Sequence, residues 1–69
     1  MTKRARPHFR VAEFESGQPW IVFEQFDGDE MHIFKYTLGF DLPPGTTLER
    51  AEEIRNFLSD NLIRVNETP

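Results

Sequence analysis

Apolar and polar positions alternate along the first two thirds of the chain and then change to a spacing of three to four residues. Residues 8–15 place Phe9 and Val11 against Arg10, Ala12 and Phe14, an imperfect alternation rich in β-favouring types. Residues 20–26, Trp-Ile-Val-Phe-Glu-Gln-Phe, have the strongest β composition of the sequence. In residues 31–42, His32, Phe34, Tyr36, Leu38, Phe40 and Leu42 recur at period two, so one side of an extended chain there is almost continuously apolar. Three strands are predicted. Ser16-Gly17-Gln18-Pro19 and Asp27-Gly28-Asp29-Glu30 lie between them and carry turn chemistry, so consecutive strands are expected to pair as hairpins.

The change of period falls after Pro43-Pro44-Gly45. From there Leu48, Ala51, Ile54, Leu58 and Leu62 fall on one side of a helix, Phe57 widens the stripe, and Glu52, Arg55, Asn56 and Ser59 form the solvent side. Thr46 and Glu49 stand three apart at its start, the spacing of a capping box. Ser59-Asp60-Asn61 weakens the helix, leaving Leu62 to Val65 as a last turn or a short edge strand.

These elements predict an α+β fold: a three-stranded antiparallel β-meander followed by one C-terminal α-helix packed on one face, β-β-β-α. Residues 1–7 read as a flexible basic arm, 8–65 as a single domain and 66–69 as a tail. If the two turns are four-residue loops, Phe23 meets Phe34, Ile21 meets Tyr36, Phe14 meets Ile21 and Ala12 meets Phe23. Ala12, Phe14, Ile21, Phe23, Phe34, Tyr36 and Leu38 then face the helix. Phe9, Val11, Trp20, Val22, Phe26, Met31 and Ile33 fall on the opposite, uncovered side.

Composition sharpens this picture. With 69 residues the chain is one small domain, and it has no cysteine to staple it. Seven Phe, one Trp and one Tyr supply dense apolar packing, and self-association is the other stabiliser open to it. No run is long enough for a membrane span and the first ten residues lack the apolar stretch of a secretory signal, so a soluble, unexported protein is expected, with the cytoplasm as the simpler default for a chain without cysteine. The net charge of -4 divides unevenly: Lys3, Arg4, Arg6 and Arg10 put +4 in the first ten residues and leave -8 for the remainder.

Candidate chemistry is sparse. Asp27, Asp29 and Glu30, with Glu24 and Asp41, offer oxygens for a hard cation, but lack the twelve-residue spacing of a calcium loop and suit hairpin turns. His8 and His32 stand on predicted strands without a nucleophile, and Ser16 and Ser59 without a base. The four glycines are too scattered to cradle phosphate. No cofactor, metal site or catalytic constellation is read from the sequence. The arm residues Lys3, Arg4 and Arg6 could lie along a phosphate backbone, yet Glu13, Glu15 and Glu24 on the body would repel it, so a solvated terminus is the favoured reading.

The segment Gly45-Thr46-Thr47-Leu48-Glu49-Arg50-Ala51 resembles the start of the helix in small bacterial antitoxins built from a sheet and one or two helices. The resemblance covers about a tenth of the chain and implies a protein partner. The leading expectation is a non-enzymatic interaction or assembly module, a homodimer formed through the outer face or edge of its sheet. Phe9, Val11, Trp20, Val22, Phe26, Met31 and Ile33 are its expected contacts. The alternatives are an antitoxin-like adaptor for a different protein and, behind it, nucleic-acid contact through the arm.

Overall fold

Four strands and one helix make up the protein in a computed structural model that describes residues 2–68. Met1 and Pro69, the outer ends of the expected arm and tail, lie outside them. In chain order the elements are β1 (Lys3–Glu13), β2 (Pro19–Gly28), β3 (Leu38–Asp41), α1 (Leu48–Asn61) and β4 (Val65–Glu67). The sheet is antiparallel with order β3-β2-β1-β4. The α+β class and the single helix are as expected; the sheet has four strands rather than three.

The additional strand comes from the tail. Val65, Asn66 and Glu67 pair with Ala5, Arg4 and Lys3, which draws the expected arm into the first half of β1. Two further hydrogen bonds hold it there: the Arg4 amide donates to Asp29 Oδ2 at 2.9 Å and Arg4 Nε to Asn66 Oδ1 at 3.0 Å. The long third strand, in contrast, is shortened. Residues 31–36 turn away from the sheet, with a 3-10 turn at His32–Lys35, and only Leu38–Asp41 pair with β2.

Loop length explains why the register differs from the four-residue estimate. The first hairpin closes through Phe14 N–H to Gln18 C=O at 3.0 Å, and the Gly17 amide donates to the Phe14 carbonyl at 2.9 Å. Gly17 has φ +88, so this is a three-residue loop whose last member takes a left-handed conformation. Val11 therefore lies opposite Ile21 and Phe9 opposite Phe23, three positions from the expected pairing. An odd displacement exchanges the two sides of β1. In the second hairpin Phe23 lies opposite Leu38 and Ile21 opposite Phe40, a displacement of four that leaves the sides unchanged.

The helix side of the sheet consequently holds Pro7, Phe9 and Val11 from β1, Ile21 and Phe23 from β2, Leu38 and Phe40 from β3, and Val65 from β4. Phe9, Phe23 and Phe40 stack in a row, with centroids 6.1 and 5.3 Å apart, and Phe34 of the 3-10 turn meets Phe23 edge-on at 5.5 Å. The outer side carries Arg4, Arg6, His8, Arg10, Ala12, Trp20, Val22 and Glu24. Val22 is buried there, with Trp20, Arg10 and Glu24 standing around it.

Helix α1 runs over β1 and part of β2. Its N-cap is Thr47 rather than Thr46: the Thr47 hydroxyl accepts the Arg50 amide at 3.1 Å, so Glu49 is not at the capping-box position. Thr46 instead donates its hydroxyl to the Pro43 carbonyl at 2.6 Å. Gln18 fixes the loop ahead of the helix, donating from Nε2 to Pro43 O at 3.1 Å while Oε1 accepts the Gly45 amide at 3.3 Å.

Candidate functional site: an open apolar groove

Between α1 and the sheet the two apolar surfaces do not close on each other. Only Ala51 of the helix is fully buried. Ile54 and Leu58 are half-buried, while Leu48, Phe57 and Leu62 are exposed, Phe57 at 66 %. The gap is a groove of about 460 Å³. Its floor is Phe9, Ile21, Phe23 and Phe40, its wall is Ile54, Leu58 and Leu62, and its ends are formed by Leu42, Pro7, Val65 and Arg64. Arg64 is the single charged residue in that lining.

The local causes are visible. Small Ala51 lets the first half of α1 approach the sheet, and the bulkier Ile54, Leu58 and Leu62 stand the second half off. The 3-10 turn carries Phe34 onto Phe23 but leaves Phe40 half exposed, at 50 %. Residues 31–36 would have extended the sheet beside β2 had they continued as a strand; as a turn they leave β2 beyond Phe23 without a ladder partner on that side.

The seven residues expected to form one outer surface are distributed over several environments. Phe9 and Val11 lie on the helix side, and Phe9 is buried. Met31 is buried at the entrance to the 3-10 turn and Ile33 lies within that turn. Trp20, Val22 and Phe26 are on the outer side, but Val22 is buried and Trp20 is half-buried, stacked on Phe14 at 5.1 Å. Phe26 alone among these three projects freely, at 62 %. The structure does not bring the seven together. Ile54, Leu58 and Leu62, which line the groove, carried the signal of an apolar stripe in the sequence and were expected to be buried, while Phe40 belonged to the period-two run of residues 31–42 without being placed against the helix.

Of the arm residues, Arg4 is engaged with Asp29 and Asn66, Arg6 lies 3.9 Å from Asp27, and Lys3 is paired with Glu67 across the β1–β4 ladder. Among the described residues there is no group of three His, Asp or Glu side chains arranged for a metal ion, and no buried side-chain nitrogen or oxygen lacks a partner. No helix among them is long and apolar enough to cross a membrane. Comparison with protein-family models, curated proteins and solved structures finds no match for this chain, so its own geometry carries the functional argument.

Proposed function

We propose that this protein is a non-enzymatic interaction module that self-associates by covering the α1 groove with a second copy of itself. The observation that carries the reading is the unclosed apolar groove, whose lining offers contact area and a single charged group. Water-exposed apolar surface of this kind is costly to leave open and is characteristic of interfaces.

A second copy is the favoured occupant for two reasons. The accessible surface is 5112 Å², whereas a compact folded chain of this size exposes about 4500 Å². The difference of about 600 Å² approaches the roughly 800 Å² that each partner contributes to a standard interface. The same surface also presents a projecting apolar side chain, Phe57 on α1 next to Leu58, that a two-fold partner can receive.

Light scattering across a concentration series tests the reading, with Phe40→Asp and Phe57→Asp as variants. The wild type is expected at twice the chain mass and both variants at the chain mass, with helix content retained by circular dichroism. A monomeric wild type at every concentration would overturn self-association and assign the groove to a different protein, the adaptor reading.

A further inference from the structure

A second cleft, of about 480 Å³, opens on the other side of the ridge formed by Pro7, Phe9, Leu62 and Arg64. It is lined by Arg6 and His8 from β1, Phe26 from β2, Ser59 from the last turn of α1, and Ile63 and Arg64 from the segment before β4. A β-bulge builds it. Arg6 lies opposite Asp27 and Pro7 opposite Gln25, so Phe26 is the extra residue, and its ring comes to the same side as Arg6 and His8. The Arg6 guanidinium sits 5.2 Å above that ring and the His8 ring centroid is 6.5 Å from it.

The charge distribution is opposite to that of the chain as a whole. The net charge is -4, yet no acidic residue lines this cleft, while two arginines and a histidine do. Arg64 has no described carboxylate within 4 Å; its Nη1 donates to the adjacent Ile63 carbonyl at 2.7 Å. Arg6 is only loosely engaged, 3.9 Å from Asp27 with both side chains about half exposed. Two guanidinium groups beside an exposed aromatic ring match a ligand that joins an anion to a flat ring.

We propose that this cleft binds a nucleotide unit, its phosphate held by Arg6 and Arg64 and its base stacked on Phe26 against Ile63. The cation over the ring holds the Arg6 fork beside the stacking surface before any ligand arrives, which lowers the ordering cost of binding. Ser59 supplies a hydroxyl at the rim. The unit comes either as a free mononucleotide or as part of a single strand. Arg6, His8 and Phe26 line this cleft alone, whereas Pro7, Phe9, Leu62 and Arg64 also line the groove, so the proposal is separable from the groove reading at the first three residues.

The test uses the full chain labelled with nitrogen-15 and three probes: inorganic phosphate, adenosine monophosphate and a fluorescent octauridylate. Amide shifts are expected at Arg6, His8, Phe26, Ile63 and Arg64 with the mononucleotide. Arg6→Gln and Arg64→Gln should each weaken binding about tenfold, and the affinity should fall as salt rises. Phe26→Ala should weaken the base-bearing probes and leave inorganic phosphate unchanged, while Arg50→Gln on the first turn of α1 should change nothing. Tighter binding of the octanucleotide assigns a single strand as the ligand; equal affinity assigns the free nucleotide. No shifts at millimolar mononucleotide and no anisotropy change with the octanucleotide would overturn the proposal, as would inorganic phosphate binding as tightly as the mononucleotide.

Discussion

Gly39 shows how one residue can govern a whole corner of the sheet. A Cβ at that position would collide with the six-membered ring of Trp20 and come within 2.7 Å of the Ile21 carbonyl oxygen. The indole lies over the bare backbone of β3 and stacks on Phe14 from the first hairpin. Gly39→Ala should therefore displace the ring and destabilise the fold by about 1–3 kcal/mol, the usual cost of overpacking. Denaturant unfolding followed by Trp20 emission checks both effects at once. At the helix start, Thr47→Ala should cost about 1 kcal/mol because it removes the acceptor of the Arg50 amide. Glu49→Gln should leave stability within a few tenths of that of the parent, since Glu49 closes no capping box; the same unfolding assay separates the two. The sequence made the cap region plain but not which of two adjacent threonines serves it, because both precede the apolar run with nearly equal spacing.

Among the elements, the first hairpin and the helix were legible because each depends on local signals, whereas the expected turn at Asp27-Gly28 lies inside β2, opposite Arg6 and Ala5. β-favouring composition marks β1 from His8 onward and β2, Gly17 marks the turn between them, and Pro43-Pro44-Gly45 marks the break before α1. Sidedness was less accessible. It turns on whether the first loop has three or four residues, and the one hydrogen bond between Phe14 and Gln18 decides it. A short edge strand reaching Val65 was one of two readings of residues 62–65, but the pairing of Val65–Glu67 with the arm was out of reach for another reason. It joins residues sixty or more positions apart, and neither Lys3-Arg4-Ala5 nor Val65-Asn66-Glu67 carries the apolar pattern of a strand by itself. The Arg4 side chain bonds across the pair to Asn66, and the 3.3 Å contact between His32 Nδ1 and Glu67 Oε1 ties β4 to the 3-10 turn. The apolar stripe of α1 was read correctly as a stripe, but a spacing rule cannot say whether the facing surface will close over it.

Taken whole, the molecule is elongated, with extents of 41 × 23 × 17 Å and a radius of gyration of 13.1 Å, against about 11 Å for a compact domain of this length. Exposed ion pairs do little to offset the small core. Arg10 and Glu24 meet at 2.9 Å, but both side chains are about half exposed, and such pairs are worth at most about 1 kcal/mol. Stability is therefore expected to depend on association. The thermal midpoint should rise with protein concentration in the wild type and be concentration-independent in Phe40→Asp, as scanning calorimetry over a dilution series would show. A concentration-independent wild-type midpoint would count against a dimer.

The short β4 strand also makes the chain almost a closed ring. Lys3 lies across from Glu67, and the Thr2 and Thr68 hydroxyl oxygens are 3.1 Å apart. Anything joined ahead of Thr2 and anything joined after Thr68 must leave from the same corner, at the end of the sheet away from the first hairpin. The fold can accordingly be inserted into a surface loop of a host protein without parting the host's two strands, or be cut open at the Phe14–Gln18 turn and sealed between Thr2 and Thr68.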